Sequence, residues 1–418
     1  MLTFSEIFVP GGFPRHTYNP RKALQLEDKL REVTRNLCKL ATITGHTKSG
    51  KTVLGRSILP REESVWVDGG VVSQEDDFWH VIIEQLELFQ VTQEQSQRET
   101  TSNLVAKGSA GADFIVAKGS GELSASRGNK RSTGSSSSRS LSSRVVALNG
   151  LRDGKIPLVI DDFHYIPFEL QGSIIRALKP LIFDGLPVAI IAIPHRRYDA
   201  MKVEREMTGR IFHIPIPFWS EDDLRFIPQT GFSLLNYDIK PDVLGRLAEE
   251  SIGSPHLMQD FCRTICRLRN LCRSATITQL PLDEKDLPRV FQDVAETIGR
   301  PIFEKLAKGP RQRTDRLPRT LKDERQVDIY ELVLHALAHL KPGLVTLEYE
   351  HIRTAIRDVT ATAIPQLHEI ARVLKHMATI AATDLSSTPV IDFEESEKKL
   401  HITDPFFAFY LRWGELAR

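Results

Sequence analysis

The sequence predicts an α/β fold in which a parallel sheet is followed by a helical region and a smaller C-terminal domain. Apolar runs without strict alternation, separated by helical segments, are typical of parallel strands covered on both faces. Five such runs occur, at Leu40–Thr44, Ser64–Asp68, Leu158–Ile160, Val188–Ala192 and Ile211–Ile214. From Ser220 onward this pattern stops, and segments with helix-capping residues take over.

The composition is that of a globular chain with several domains. Its 418 residues, 41% of them hydrophobic, predict two to four domains at about 100–200 residues each and exclude a disordered protein. No apolar run approaches the ~18 residues of a membrane helix, and the first residues lack a secretory signal, so we expect a cytoplasmic protein without a membrane partner. The net charge of +1 excludes a surface that is basic throughout but leaves room for a local basic patch.

We expect a core domain at 1–219, a helical region at 220–308, a linker at 309–325 and a last domain at 326–418. In the last domain, three helical segments precede a strand-like pair, which is the order of a winged helix. Within the core, a near-repeated segment and a Ser-rich stretch predict an inserted hairpin and a flexible segment at 93–144. The arginines and lysine of this insert could contact phosphate, but a solvated linker is favoured.

The strongest motif follows the first predicted strand and matches GxxxxGK[ST] in full. In this P-loop, glycines let backbone N–H groups surround the phosphates of a nucleotide, Lys51 places its charge near the β- and γ-phosphates, and the Thr52 hydroxyl binds Mg²⁺. The candidate nucleotide-binding residues are Gly45, His46, Thr47, Lys48, Ser49, Gly50, Lys51, Thr52 and Val53. The predicted fold is therefore that of a P-loop NTPase.

Two adjacent carboxylates end the third predicted strand. Asp161 is suited to hold Mg²⁺ through water, together with Thr52, and Asp162 to polarise the attacking water. The alternative is that one of them only caps the turn into the next helix. The complete P-loop upstream favours the metal and catalytic roles.

Two further residues are weaker candidates. His195 follows the fourth strand, where a polar side chain can sense the γ-phosphate, although an ordinary loop histidine fits as well. Arg210 precedes the fifth strand and could stabilise transition-state charge in a neighbouring subunit. Its alternative is a surface salt bridge.

Together these motifs resemble the AAA+ ATPases and their signalling relatives, the STAND NTPases, with origin-recognition-type initiators and archaeal-type ATPases as the nearest kin. The resemblance implies ATP as the nucleotide, an adenine-contacting segment at Tyr18 and Arg21, and a helical lid at 220–308 that packs on ATP through Pro255 and His256. The segment 403–413 is similar to the Asp-Pro-Phe-Phe signature that follows the winged helix in archaeal-type ATPases.

The sequence also departs from this pattern. The lid motif carries His256 where AAA+ proteins place an arginine, although Arg263 further along could substitute for it. Many relatives have Glu at the position of Asp162. Because Asp is one methylene shorter than Glu, we expect slow hydrolysis.

These features favour a slowly hydrolysing STAND/AAA+ switch that closes and forms a homo-oligomer on binding ATP and Mg²⁺. We expect it to regulate a separate effector, in prokaryotic stress or anti-phage defence. The alternative is an AAA+ initiator or transposition regulator that binds duplex DNA through the Arg-rich linker 309–325 and through Arg372 and Lys375 of its winged helix. The acidic wing at 394–399 argues against DNA contact. A nucleotide-stabilised scaffold that barely hydrolyses ATP is the third interpretation.

Overall fold

The structure is a computed structural model that describes residues 2–88, 142–193, 207, 209–310, 316–383 and 389–415. Most of the predicted insert, from 93 to 141, lies outside these residues, as does His195. Among the described residues, no helix has the length and apolar character that crossing a membrane requires.

A five-stranded parallel sheet forms the centre of the core domain, with strand order β2-β3-β4-β1-β5. The strands are β1 (Leu40–Thr44), β2 (Val65–Asp68), β3 (Leu158–Asp161), β4 (Val188–Ala192) and β5 (Ile211–Pro215). They lie where the sequence predicts them. The last residue of β1, Thr44, is in register with Ala192 and Pro215 at the ends of β4 and β5. The loops that follow these strands therefore lie together at the carboxyl ends of the strands.

The strands are apolar throughout because both faces of the sheet are covered. In β3, Leu158 and Ile160 pack into one hydrophobic cluster, whereas Val159 packs into the cluster on the opposite face. One face is covered by α4 (Glu75–Gln85), α5 (Ser143–Gly154) and α6 (Phe168–Phe183), and the other by α2 (Leu26–Val33) and α3 (Lys51–Ile58). Since adjacent strand residues point to opposite faces, this burial removes the alternation of a half-exposed strand.

The N-terminal segment is less regular than its pattern predicts. A short α1 (Phe4–Ile7) is followed by the loop 8–21, a 3₁₀ turn at Lys22–Leu24 and only then α2. The spacing of Leu24, Leu26, Leu30, Val33 and Leu37 predicts one helix from 20 to about 39. That helix is interrupted because Arg21 and Gln25 adopt left-handed backbone, with φ of 48° and 52°. Further 3₁₀ turns occupy Gly69–Val71, Phe163–Tyr165 and Glu284–Asp286.

The helical lid begins with a capping box, in which Ser220 and Asp223 each accept a hydrogen bond from the other's backbone N–H. Pro241 and Pro255 open two of its helices at the first turn, where the missing N–H costs nothing. Its helices are α7 (Glu221–Leu234), α8 (Pro241–Glu250), α9 (Pro255–Leu268), α10 (Leu287–Ile298) and α11 (Arg300–Lys308). The short strands β6 (Tyr237–Asp238) and β7 (Thr278–Gln279) pair beside them.

The C-terminal domain has the order of a winged helix. Its helices α12 (Ile329–His339), α13 (Tyr349–Val359) and α14 (Leu367–Thr383) precede the antiparallel strands β11 (Ile391–Glu394) and β12 (Lys399–Ile402). A third strand, β10 (Thr346–Glu348), also pairs with β12. The hairpin of β8 (Arg319–Thr320) and β9 (Gln326–Val327) begins inside the segment 309–325 expected as a linker.

The last helix, α15 (Pro405–Trp413), joins the C-terminal domain to the lid. Phe407 and Leu411 pack into the winged-helix core, whereas Phe409 and Tyr410 pack into the lid core beside Phe261 and Phe291. The lid and the C-terminal domain are therefore held together by α15 and also by α11, whose Leu306 packs into the winged-helix core.

Candidate nucleotide-binding site

The P-loop runs from Gly45 to Gly50 and connects β1 to α3. Lys48 and Gly50 both have left-handed backbone, with φ of 61° and 90°. A Cβ atom on Gly45 would lie 2.8 Å from Ser49 Oγ and 3.0 Å from Ile216 Cβ. The tight loop therefore requires glycine at its first position.

Lys51 lies folded over this loop. Its Nζ donates hydrogen bonds to the carbonyl oxygens of Gly45 at 2.9 Å and His46 at 2.8 Å, and the residue is 8% exposed. Burial lowers the pKa of Lys51 to about 8, while the charges of Asp162 and Asp161 act in the opposite direction. A phosphate above the loop would meet an ammonium group that is already in place.

Two hydroxyls of the loop lack partners. Thr47 Oγ1 and Ser49 Oγ are buried and make no hydrogen bond within the described part of the chain. Buried polar groups are nearly always paired, so orphaned hydroxyls in a P-loop fit a ligand with strong acceptor oxygens. The nucleotide phosphates that the motif implies are such a ligand.

The residues expected to hold Mg²⁺ are brought together. Thr52 Oγ1 donates to Asp161 Oδ1 at 3.3 Å, and the backbone N–H of Asp162 donates to the same oxygen at 3.0 Å. Burial, followed by the charge of Asp162, raises the pKa of Asp161 to about 6. Burial also raises the pKa of Asp162, which Lys51 opposes. A hydroxyl beside poorly solvated carboxylates is a donor set that suits a hard divalent cation.

Asp68 and Gly69 also belong to this site, although the sequence motifs do not predict them. Asp68 ends β2 in register with Asp161, and its charge contributes to the raised pKa of both Asp161 and Asp162. A Cβ atom on Gly69 would lie 2.3 Å from the carbonyl oxygen of Asp162. The available signal was the Val-Asp-Gly-Gly sequence that ends a predicted strand.

A cavity of about 280 Å³ adjoins the P-loop. Its walls come from the N-terminal loop, the P-loop with α3, and the first turn of α9, so the predicted residues Tyr18, Pro255 and His256 all line it. Lining residues that the sequence reading missed include Pro10, Gly11, Arg56, Trp219 and Gln259. The Pro10-Gly11-Gly12 turn was the visible signal, because it lets the backbone approach a ligand closely.

Arg21, expected to contact adenine, does not line this cavity. Its guanidinium pairs with Asp223 at 3.0 Å, donates to the carbonyl oxygens of Pro217 and Phe218, and lies 4.9 Å from the ring centre of Trp219. Trp219 in turn donates from Nε1 to the carbonyl oxygen of Ser49 at 2.9 Å. Arg21 thus contacts the P-loop indirectly, because it packs against Trp219, which is hydrogen-bonded to Ser49.

The lid reaches the P-loop through His256 and not through Arg263. Burial lowers the pKa of His256 to about 4, so its ring is neutral near pH 7. Arg263 donates instead to the carbonyl oxygens of Ser5 and Phe8. It therefore does not occupy the place of the missing lid arginine in this structure.

Arg210 lies at the amino ends of the strands, whereas the P-loop follows the carboxyl end of β1. It directly precedes Ile211, which pairs with the first residue of β1, and its guanidinium lies 5.3 Å from the ring centre of Phe183. Arg210 cannot reach the nucleotide site of its own chain from there. Its predicted role in a neighbouring subunit remains a prediction.

No family model matches the chain, and no curated protein matches it in sequence. Solved structures do match over nearly its full length. The Walker-type ATPase of Pyrococcus abyssi has 17% identity and a TM-score of 0.51, covering 93% of this chain and 94% of its own. The ORC2 protein of Aeropyrum pernix, in ADPNP–ADP complexes, has 13% identity and a TM-score of 0.51, covering 97% and 95%.

The chain has the AAA+ fold. A third similar structure is Cdc6p of Pyrobaculum aerophilum, with 12% identity, a TM-score of 0.43 and coverage of 97% and 96%. The predicted P-loop sheet, helical lid and C-terminal winged helix are thus confirmed as an AAA+ architecture. At these identities the likeness concerns the fold alone.

Proposed function

We propose that this AAA+ chain binds ATP with Mg²⁺ in the P-loop and hydrolyses it. The observation that carries the proposal is the pair of buried, unpartnered hydroxyls of Thr47 and Ser49 beside the Thr52–Asp161 contact. A loop that leaves donors unsatisfied next to acidic groups fits a polyanion that arrives with a divalent cation.

Each residue has a role that follows from its position. Lys51 and the loop N–H groups would bind the β- and γ-phosphates, and Thr52 and Asp161 would hold Mg²⁺, which neutralises charge on the phosphates. Asp162, whose raised pKa reflects burial, would orient and deprotonate the attacking water. Tyr18, Pro255 and His256 would enclose the base in the adjoining cavity.

The proposal is tested by calorimetric titration of ATP with Mg²⁺. We expect micromolar binding by the natural chain and a loss of about 100-fold or more for Lys51→Ala, because a buried charge-assisted contact to phosphate disappears. Lys29→Ala, which removes an exposed lysine from α2, is the matched control and should bind normally. If the natural chain shows no heat of binding with ATP or GTP, the proposal fails.

The biological role is a finer proposal. The fold shared with archaeal ORC2 supports an initiator-type ATPase better than the STAND switch that the sequence favours. The similar structures give no support to an anti-phage role or to a separate effector. Assembly into a homo-oligomer, with Arg210 reaching a neighbouring nucleotide, stays a proposal.

Binding of duplex DNA by the winged helix is the second candidate function. His368, Arg372 and Lys375 are exposed at helical spacing on α14, as a groove-reading face would require. Lys375, however, pairs with Glu395 of the wing at 2.6 Å. DNA contact would have to displace that carboxylate.

Fluorescence anisotropy with a labelled duplex tests this candidate at 50 and 200 mM salt. We expect affinity to fall steeply with salt and Arg372→Ala to weaken binding further, because each phosphate contact releases counterions. Arg353→Ala, which removes an exposed arginine from α13, is the control. Binding that is absent at 50 mM salt would eliminate the candidate.

A further inference from the structure

The C-terminal helix α15 reaches the P-loop through Phe406. Lys48 Nζ lies 5.3 Å from the centre of the Phe406 ring, and the His256 ring meets the same ring edge-on at 4.9 Å. Phe406 therefore stands between the P-loop and the first turn of α9. One aromatic side chain connects the phosphate-binding loop to both the lid and the C-terminal domain.

The charge of Lys48 also influences carboxylates from three parts of the chain. Its charge acts on Asp162 at the end of β3, on Asp260 in α9, and on Asp404 at the start of α15, and in each case it opposes the rise in pKa that burial causes. Asp404 uses one oxygen to cap α15 by accepting the N–H of Phe407 at 2.9 Å. Asp260 Oδ2 is buried, has no hydrogen-bond partner in the described residues, and lies 3.5 Å from His256 Nε2.

The same ammonium group belongs to a residue of the P-loop that lines the nucleotide cavity and is exposed. A cation–π contact at an exposed site is weak, whereas a charge-assisted hydrogen bond to phosphate is strong. Lys48 lines the cavity itself, so its ammonium group cannot stay over the Phe406 ring and also hydrogen-bond a phosphate bound there. A ligand with an additional phosphate would therefore compete for it.

We propose that Lys48 couples the phosphate state of the bound nucleotide to the docking of α15. In the free chain Lys48 lies against Phe406 and holds the start of α15 at the P-loop. The γ-phosphate draws Lys48 away and releases the start of α15, whereas a diphosphate leaves the contact in place. This inference rests on the proposed function, since it requires that the P-loop binds a nucleoside triphosphate.

Release at Phe406 would affect more than one side chain. Glu250 in α8 accepts the Nε1–H of Trp413 at 2.8 Å and pairs with Arg412, so α15 is attached to the lid at its other end. A shift at the start of α15 would therefore move the lid and the winged helix together. Coupling of this kind needs a different contact in each nucleotide state, which Lys48 supplies.

Hydrogen exchange of the full chain tests the proposal. We compare residues 404–413 without nucleotide, with ADP, and with a non-hydrolysable ATP analogue, and measure the affinity of each nucleotide by calorimetry. The analogue should raise the exchange rate of 404–413 roughly tenfold over ADP, because release exposes backbone that docking protects.

Two variants test whether Lys48 and Phe406 are the residues that couple the nucleotide to α15. Lys48→Met should show fast exchange of 404–413 without nucleotide, with less than a roughly twofold change on adding the analogue. Phe406→Leu keeps an apolar side chain but removes the π face, and should uncouple exchange in the same way with nucleotide affinity unchanged. Lys29→Met on α2 is the matched control and should behave as the natural chain.

The outcomes separate the two proposals. If the chain binds nucleotide but 404–413 exchanges equally with ADP and the analogue, the coupling is overturned and the proposed function stands. Persistence of the natural difference in both Lys48→Met and Phe406→Leu also overturns it. Failure to bind any nucleotide overturns both.

Discussion

At the scale of single residues, the site depends on charged groups that are held away from water. Lys51, Asp161 and Asp162 all have pKa values shifted toward their neutral forms, and in each case burial is the main cause. Groups with this kind of shift cluster at functional sites. Such a site is poorly stabilised without its ligand, which is consistent with a binding role.

Asp162→Asn tests the role of Asp162 as the proposed general base. The amide keeps the size of the side chain but cannot accept a proton from water, so we expect kcat for ATP hydrolysis to fall by about 100-fold or more. ATP affinity should be equal or higher, since a negative charge near the phosphates is removed. Steady-state hydrolysis assays and calorimetry measure the two effects, and an unchanged kcat would assign the base elsewhere.

Asp260→Asn tests the cost of a buried carboxylate. Burial raises the pKa of Asp260 from 3.8 to about 7, with Lys48 and Arg263 opposing the shift and His256 neutral beside it. The folded chain therefore binds a proton that the unfolded chain has lost between these pH values. The contribution of this proton to folding stability is fully present below pH ~4 and is lost as the pH rises through about 7.

The Asp260→Asn variant has no carboxyl group to titrate at this position. It should exceed the natural chain in free energy of unfolding at pH 8 by up to about 4 kcal/mol, at ~1.4 kcal/mol per pKa unit, and match it near pH 4. Urea denaturation at both pH values measures the difference. If the difference in unfolding free energy were the same at both pH values, the raised pKa of Asp260 would be contradicted.

At the scale of elements, close backbone contacts position the acidic strand ends. The turn after β2 packs so tightly on the turn after β3 that Gly69 has no room for a side chain. This contact fixes Asp68 beside Asp161, and parallel pairing of β2 with β3 makes both face the same edge. The P-loop then follows at that edge because β1 runs in the same direction.

Gly69→Ala should displace this turn. Its Cβ would lie 2.3 Å from the carbonyl oxygen of Asp162, so we expect a loss of about 1–3 kcal/mol in unfolding free energy and weaker Mg²⁺-dependent binding of ATP. Gly343→Ala, away from the cavity, is the matched control, since the nearest atom to its added Cβ lies 3.9 Å away, in ordinary contact. Equal melting temperatures for the two variants would disprove the packing argument.

At the scale of the whole molecule, the lid and the C-terminal domain are joined by α15. Glu250 is 1% exposed and connects Arg246 of its own helix to Arg412 and Trp413 of α15. A buried carboxylate with several donors is costly to disrupt, because its partners lose their counter-charge. We infer that the two domains move as one body relative to the core.

Glu250→Gln should weaken the junction between these domains. Since Arg246 and Arg412 keep some exposure, we expect a loss of about 2 kcal/mol, below the usual cost of breaking a fully buried pair. Glu249→Gln, at an exposed partner of Arg246, is the control and should cost under ~1 kcal/mol. Denaturation curves measure both, and equal losses would remove Glu250 as the connection.

The sequence by itself determined the five strands, the P-loop, the Asp161–Asp162 pair and the order of lid and winged helix. These features are local, because strand burial, loop conformation and phosphate chemistry are encoded within a few adjacent residues. Only the tertiary structure decided that Arg21 supports Trp219, that Asp68 joins the acidic site, and that Phe406 meets Lys48. Those contacts join residues far apart in the chain, and no local pattern encodes which distant surfaces will pack together.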